Sequence, residues 1–104
     1  MKVKQIKGNR KAWSDEDRRA VLALFNELMT KQKAGEKYSK APKVRALAEQ
    51  LDRSKGSIEC KLMNVSACFD SLAMPYVNGY KPLKNYEKEL FNLVLEQVKE
   101  SGNV

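Results

Sequence analysis

Apolar residues recur at helical spacing in four stretches of the chain. Val21, Leu24, Phe25 and Leu28 stand at i, i+3, i+4 and i+7, the stripe of a core-facing helix. Trp13-Ser14-Asp15-Glu16-Asp17 opens that helix, with Ser14 as N-cap, Asp17 at capping-box spacing and three acids at the positive end of the dipole. It should end near Lys33, before Gly35. Val44, Leu47, Ala48 and Leu51 repeat the stripe; Ser39 is the expected cap, and Pro42 falls in the first turn, where its missing N–H costs nothing. A third helix opens on Ser54, and its Ile58, Leu62, Val65, Phe69 and Leu72 fall within one stripe roughly 80° wide. Residues 73–84 are irregular, with turn signals at Met74-Pro75, Asn78-Gly79 and Pro82. Asn85 is the expected cap of a last helix, with Glu87 and Glu89 in its first turn, a wide apolar face of Leu90, Phe91, Val94, Leu95 and Val98, and Gly102 past its end.

These stretches predict an all-α fold, a tri-helical bundle with an additional C-terminal helix. Residues 1–12 lack periodicity and read as a flexible basic arm. Residues 13–72 form the tri-helical core, and residues 73–104 a loop plus a helix packed on it. At 104 residues the chain is one domain, able to bury roughly 65% of its unfolded surface.

Only Asp52 and Arg53 separate the second helix from Ser54. A helix, a tight turn and a second helix is the layout of a helix-turn-helix reader of DNA. Charge placement agrees with it. The net charge is +7, and Lys2, Lys4, Lys7, Arg10 and Lys11 supply five of it with no acid among them. Lys37, Lys40, Lys43, Arg45 and Arg53, set against Glu36, Glu49 and Asp52, supply the rest. Such an imbalance favours a polyanion as partner, and it equally suits a solubilising tail.

The absence of histidine removes the usual general base and the Ser-His and Cys-His pairs, and two cysteines cannot close a zinc shell. The acids Asp15, Glu16, Asp17, Glu87 and Glu89 lie in helix first turns, where capping and dipole roles account for them. Neither catalysis, nor a metal, nor a cofactor is expected. Cys60 and Cys68 fall on one helix about 12 Å apart, beyond the roughly 7 Å a disulfide can bridge. Free thiols and no apolar run near the roughly 20 residues of a membrane span place the chain in the cytoplasm as a soluble protein.

The outer face of the third helix holds Gly56, Cys60, Met63, Asn64 and Ala67, flanked by Ser57, Glu59 and Lys61. Gly56 lets the helix start approach a duplex backbone, where the helix N-terminus and the Ser54 and Ser57 hydroxyls can hold a phosphate. Asn64 can pair with an adenine edge, and Lys61 can reach a guanine or a phosphate. A mid-helix Asn is a weak helix former with no obvious core use, which favours function for Asn64. Cys60, Met63 and Ala67 suit a thymine or 5-methylcytosine methyl, and suit equally well a place under the last helix. For Cys60 a half-buried thiol is the expectation.

Two family resemblances meet on these residues. Trp13-Ser14-Asp15-Glu16-Asp17, with Leu47-Ala48-Glu49-Gln50-Leu51-Asp52-Arg53-Ser54, resembles the Myb/SANT tri-helical domain, which implies a tryptophan packed under a DNA-reading third helix. A longer set resembles a module at the N-terminus of many bacterial HNH endonucleases of restriction type. It comprises Tyr38-Ser39-Lys40-Ala41, Arg53-Ser54-Lys55-Gly56-Ser57-Ile58-Glu59, Lys61, Asn64-Val65-Ser66-Ala67, Pro75-Tyr76, Gly79-Tyr80-Lys81-Pro82 and Asn85. That resemblance implies a DNA-recognition module of a bacterial or phage protein, with Ser54, Ser57, Lys61 and Asn64 facing DNA. Under it, Gly79-Tyr80-Lys81-Pro82 is either a second contact loop or, more simply, a turn packed on the bundle. No HNH motif occurs, so no nuclease activity is implied.

The expected function is double-stranded DNA binding, sequence- or modification-dependent, by a regulator or by the recognition component of a defence or anti-defence system. Its expected contacts are Lys2, Lys4, Lys7, Arg10, Lys11, Lys40, Arg53, Ser54, Lys55, Gly56, Ser57, Lys61 and Asn64. A separate nuclease or effector is a possible protein partner, and monomer and homodimer stay open. The alternative is a SANT-like protein-interaction module that docks through the outer face of helix three.

Overall fold

Ser14, extended at its backbone, accepts a hydrogen bond from the Asp17 amide at 3.1 Å and so starts the first helix, α1 (Asp15–Lys33). In the computed structural model, which describes residues 12–102, three further helices follow: α2 (Ala41–Leu51), α3 (Lys55–Ser71) and α4 (Lys88–Glu100). No strand occurs among the described residues. Nor is any described helix long and apolar enough to cross a membrane.

α3 is the central element, packed on α1, α2 and α4, while α4 lies against α1 and α3. Val21, Phe25, Leu28, Val44, Ile58, Leu62, Val65, Leu90 and Val94 are fully buried between them. The Phe25 and Phe69 rings stack with centroids 5.3 Å apart and 4° between planes, tying α1 to the end of α3. α4 buries Leu90, Leu93, Val94 and Val98, whereas Phe91 and Leu95 stay half-buried and Phe91 stacks on Tyr86.

The helix ends differ from expectation in three places. Lys40, not Ser39, takes the cap position of α2, with a backbone already helical and no side-chain cap. Glu87, not Asn85, precedes α4, because the Asn85 side chain is turned to α3 instead. Leu72 is the C-cap of α3 and only half-buried, since the chain leaves the helix there through Ala73 at φ 58.

The irregular segment 73–87 is part of the core as well as a connection. Val77 and Tyr80 are buried in it, around a turn at Asn78 and Gly79, and Gly79 takes φ 92. From there the chain crosses the outer face of α3. The Leu83 amide donates to the Met63 carbonyl at 3.1 Å, and Asn64 Nδ2 donates to the Leu83 carbonyl at 2.7 Å and to Asn85 Oδ1 at 3.2 Å. This segment is a belt, running from the start of α2 across the middle of α3 to α1.

Candidate nucleic-acid interface

The junction between α2 and α3 is three residues long. Asp52 takes a left-handed backbone at φ 56, which a short polar side chain tolerates. The Arg53 amide then bonds back to the Ala48 carbonyl at 2.9 Å. Ser54 caps α3 by accepting from the Ser57 amide at 3.0 Å. Ser54, Lys55, Gly56 and Cys60 are exposed, and Ser57, Glu59 and Met63 half-buried. A Cβ on Gly56 would meet nothing within 4 Å, so no intramolecular contact requires glycine there. Arg45 and Lys55 line an open cleft between α2 and the start of α3.

Beyond this first part of α3 the structure corrects the expected contacts. Lys61 is 6% exposed, and its Nζ lies 2.9 Å from Glu87 Oε1 and 4.5 Å from the centre of the Trp13 ring. Asn64, also 6% exposed, spends its amide on the belt. Arg53 is 7% exposed, stacked 3.7 Å over Trp13, with Nη2 donating to the Ala12 carbonyl at 2.7 Å and to Asp17 Oδ2 at 3.2 Å. Each of the three therefore has an internal use, and Arg53 also lines the cleft with Arg45 and Lys55. Lys40 is half-buried, its Nζ 3.0 Å from the Asn78 carbonyl and beside the rings of Tyr80 and Tyr38.

Cys60 is exposed rather than half-buried, and Ala67, 1% exposed, belongs to the interior. Met63 is half-buried against the core. The Gly79-Tyr80 turn packs on the bundle, with Tyr80 in the core, while Lys81 is exposed. Lys2, Lys4, Lys7, Arg10 and Lys11 lie outside the described residues.

Sequence reasoning missed an ionic cluster behind the junction. Arg18 is buried and reaches both oxygens of Glu87, at 3.2 and 3.3 Å, as well as Asp15 at 2.6 Å and the Trp13 carbonyl at 2.9 Å. Glu87 thus joins α1 to Lys61 of α3 across the belt. Burial pushes its carboxyl up, but the hydrogen bonds and charges of Lys61 and Arg18 outweigh that and hold it below the usual carboxylate value. Burial pushes the Cys68 thiol up to about 12, so it is inert as a nucleophile at neutral pH. No group of three or more metal-ligating side chains occurs among the described residues.

The Arg53–Ala12 bond has a further consequence. It fixes the residue to which the basic stretch Lys2–Lys11 is covalently joined, at the turn that leads into α3. Arg53 in turn lines the cleft with Arg45, Glu49 and Lys55, so Ala12 is tied to that end of the molecule. No family model, curated protein or solved structure matches this chain.

Proposed function

We propose that the chain is a double-stranded DNA-binding domain of helix-turn-helix, Myb-like type that acts by binding and not by catalysis. The first two turns of α3 enter the major groove, and the basic stretch that precedes Ala12 runs along the backbone or into the neighbouring minor groove. The contacts are Ser54, Lys55, Gly56 and Ser57 from the earlier set, joined by Arg45, with Lys2, Lys4, Lys7, Arg10 and Lys11 from the arm. Arg53, Lys61 and Asn64 support these from inside.

The observation that carries this reading is the exposed, capped start of α3, with Lys55 and the unobstructed Gly56 beside Arg45. A helix N-terminus offers unpaired amides and a positive dipole end to a phosphate, and Arg45 and Lys55, with Glu49 as the acid on the same cleft, add net Coulomb attraction. Docking of a protein partner on the outer face of α3 has less support, since Ala67 is covered and Met63 half-covered. Regulation of transcription and target recognition in a defence or anti-defence system both fit a binding domain of this kind.

The test is a titration of duplex DNA at two or more salt concentrations. Affinity should fall with a slope of roughly 0.9 log units per neutralised phosphate per log unit of salt. A flat dependence, or no binding at low salt, overturns the proposal.

A further inference from the structure

We infer that the belt supplies a second basic wall, so that a DNA duplex is held across α3 between Lys55 on one side and Lys81 and Lys84 on the other. The inference rests on the DNA-binding reading above and adds residues that reading does not use.

The belt crosses α3 at a fixed level. Leu83 is bonded through its amide to the Met63 carbonyl and through its carbonyl to Asn64, so both ends of its peptide are pinned to one turn of the helix. Lys81 and Lys84 lie on either side of it, both exposed, and neither forms an ion pair among the described residues. Lys55, at the other end of the open part of α3, is likewise exposed. From Lys55 to Met63 is eight residues, about 12 Å along the axis. A helix seated in the major groove has a phosphate backbone along each side. Cations at the start of the open part of α3 and on the belt that closes it can therefore meet phosphates while the side chains between them face the bases. Between them lie Gly56, Cys60 and Met63, small or soft groups with no charge to repel a base edge. Glu59, half-buried on the same stretch, would face bases instead of phosphates, where a carboxylate can accept from a cytosine amino group.

The experiment compares the salt dependence of duplex binding for the wild-type chain and a Lys81→Gln/Lys84→Gln double variant. With two phosphate contacts removed, the slope should fall by about 1.8 and the affinity by roughly 30-fold at about 0.15 M salt. A Lys81→Arg/Lys84→Arg variant should keep the wild-type slope, and Lys99→Gln, on α4, should leave it unchanged. Both belt lysines are exposed, so the circular-dichroism melts should superimpose. If the wild-type chain binds DNA and the double variant keeps its slope, the belt wall is wrong and the DNA-binding reading stands. A slope lower by about 0.9 with Lys99→Gln, half the loss for half the charge removed, would mean that only net charge matters, which also overturns the wall. If the wild-type chain does not bind, both readings fall.

Discussion

Asn64 Nδ2 donates to the Leu83 carbonyl at 2.7 Å, and with the Leu83 amide bonded to Met63 this closes the belt onto α3. Met63 and Asn64 thus hold both polar groups flanking the Leu83 side chain. Without Asn64 the part-buried Leu83 carbonyl would lose its partner, and an unmade hydrogen bond costs more than a made one gains. A helix residue that resembles a base reader in isolation is, in the folded chain, the fastening of a loop.

Replacing Asn64 by alanine should therefore lower stability by about 1–3 kcal/mol, the cost of unfastening the belt and leaving the part-buried Leu83 carbonyl unmatched. Urea unfolding followed by circular dichroism measures it. An unchanged midpoint, together with altered DNA sequence preference, would return Asn64 to the role of a reader.

Glu87 should make the fold acid-sensitive. Its folded-state pKa lies below the ordinary 4.5, so an unfolded chain takes up the proton at a higher pH than the folded one. Stability from this group is whole above 4.5 and is lost as pH falls through the lower, folded value. Glu87→Gln should cost about 2 kcal/mol at neutral pH and flatten the loss of stability on acidification. Urea midpoints measured from roughly pH 7 down to about pH 3 give the comparison; parallel curves for the two chains would show that Glu87 is not the titrating group.

The two thiols should separate cleanly. Cys60 is exposed, and Cys68 is buried with its pKa pushed up to about 12. Ellman's reagent at mildly alkaline pH should modify one thiol at once and the second only on adding urea. Rapid modification of both in native buffer would mean that the bundle does not bury Cys68 near the end of α3.

Regular elements were legible in the sequence wherever the reason for them is local. Ser14 and Ser54 cap their helices through bonds that span three residues, and the stripes of α1, α2 and α3 turn inward at the period of the helix. The belt was not legible, because irregular chain has no period. Val77 and Tyr80 are core only through what packs around them, and the Lys61–Glu87 pair joins residues 26 apart in sequence. The misreadings of Asn64, Lys61 and Asn85 follow from that one gap. A polar residue on the outer face of a helix looks free until the chain that crosses it is known. Of the expected contacts, Ser54, Lys55, Gly56 and Ser57 precede the crossing and stay accessible or half-accessible.

Arg53 and Lys55 should behave oppositely although they stand two residues apart. The Arg53 guanidinium carbon lies 3.7 Å from the centre of the Trp13 ring while Nη2 donates to Ala12 and Asp17, a combination a lysine ammonium cannot copy. Arg53→Lys should cost about 1–3 kcal/mol in urea unfolding and shift the emission of Trp13, the chain's single tryptophan, because the ring loses its cover. It should leave the salt slope of DNA binding as it was, since Arg53 touches no phosphate under this reading. Lys55→Gln should do the reverse, with stability unchanged to within about 0.5 kcal/mol and a slope lower by about 0.9. The pair separates inside from outside at the α2–α3 junction. A slope that falls with Arg53→Lys while stability holds would place the guanidinium on DNA and exclude an internal role for it.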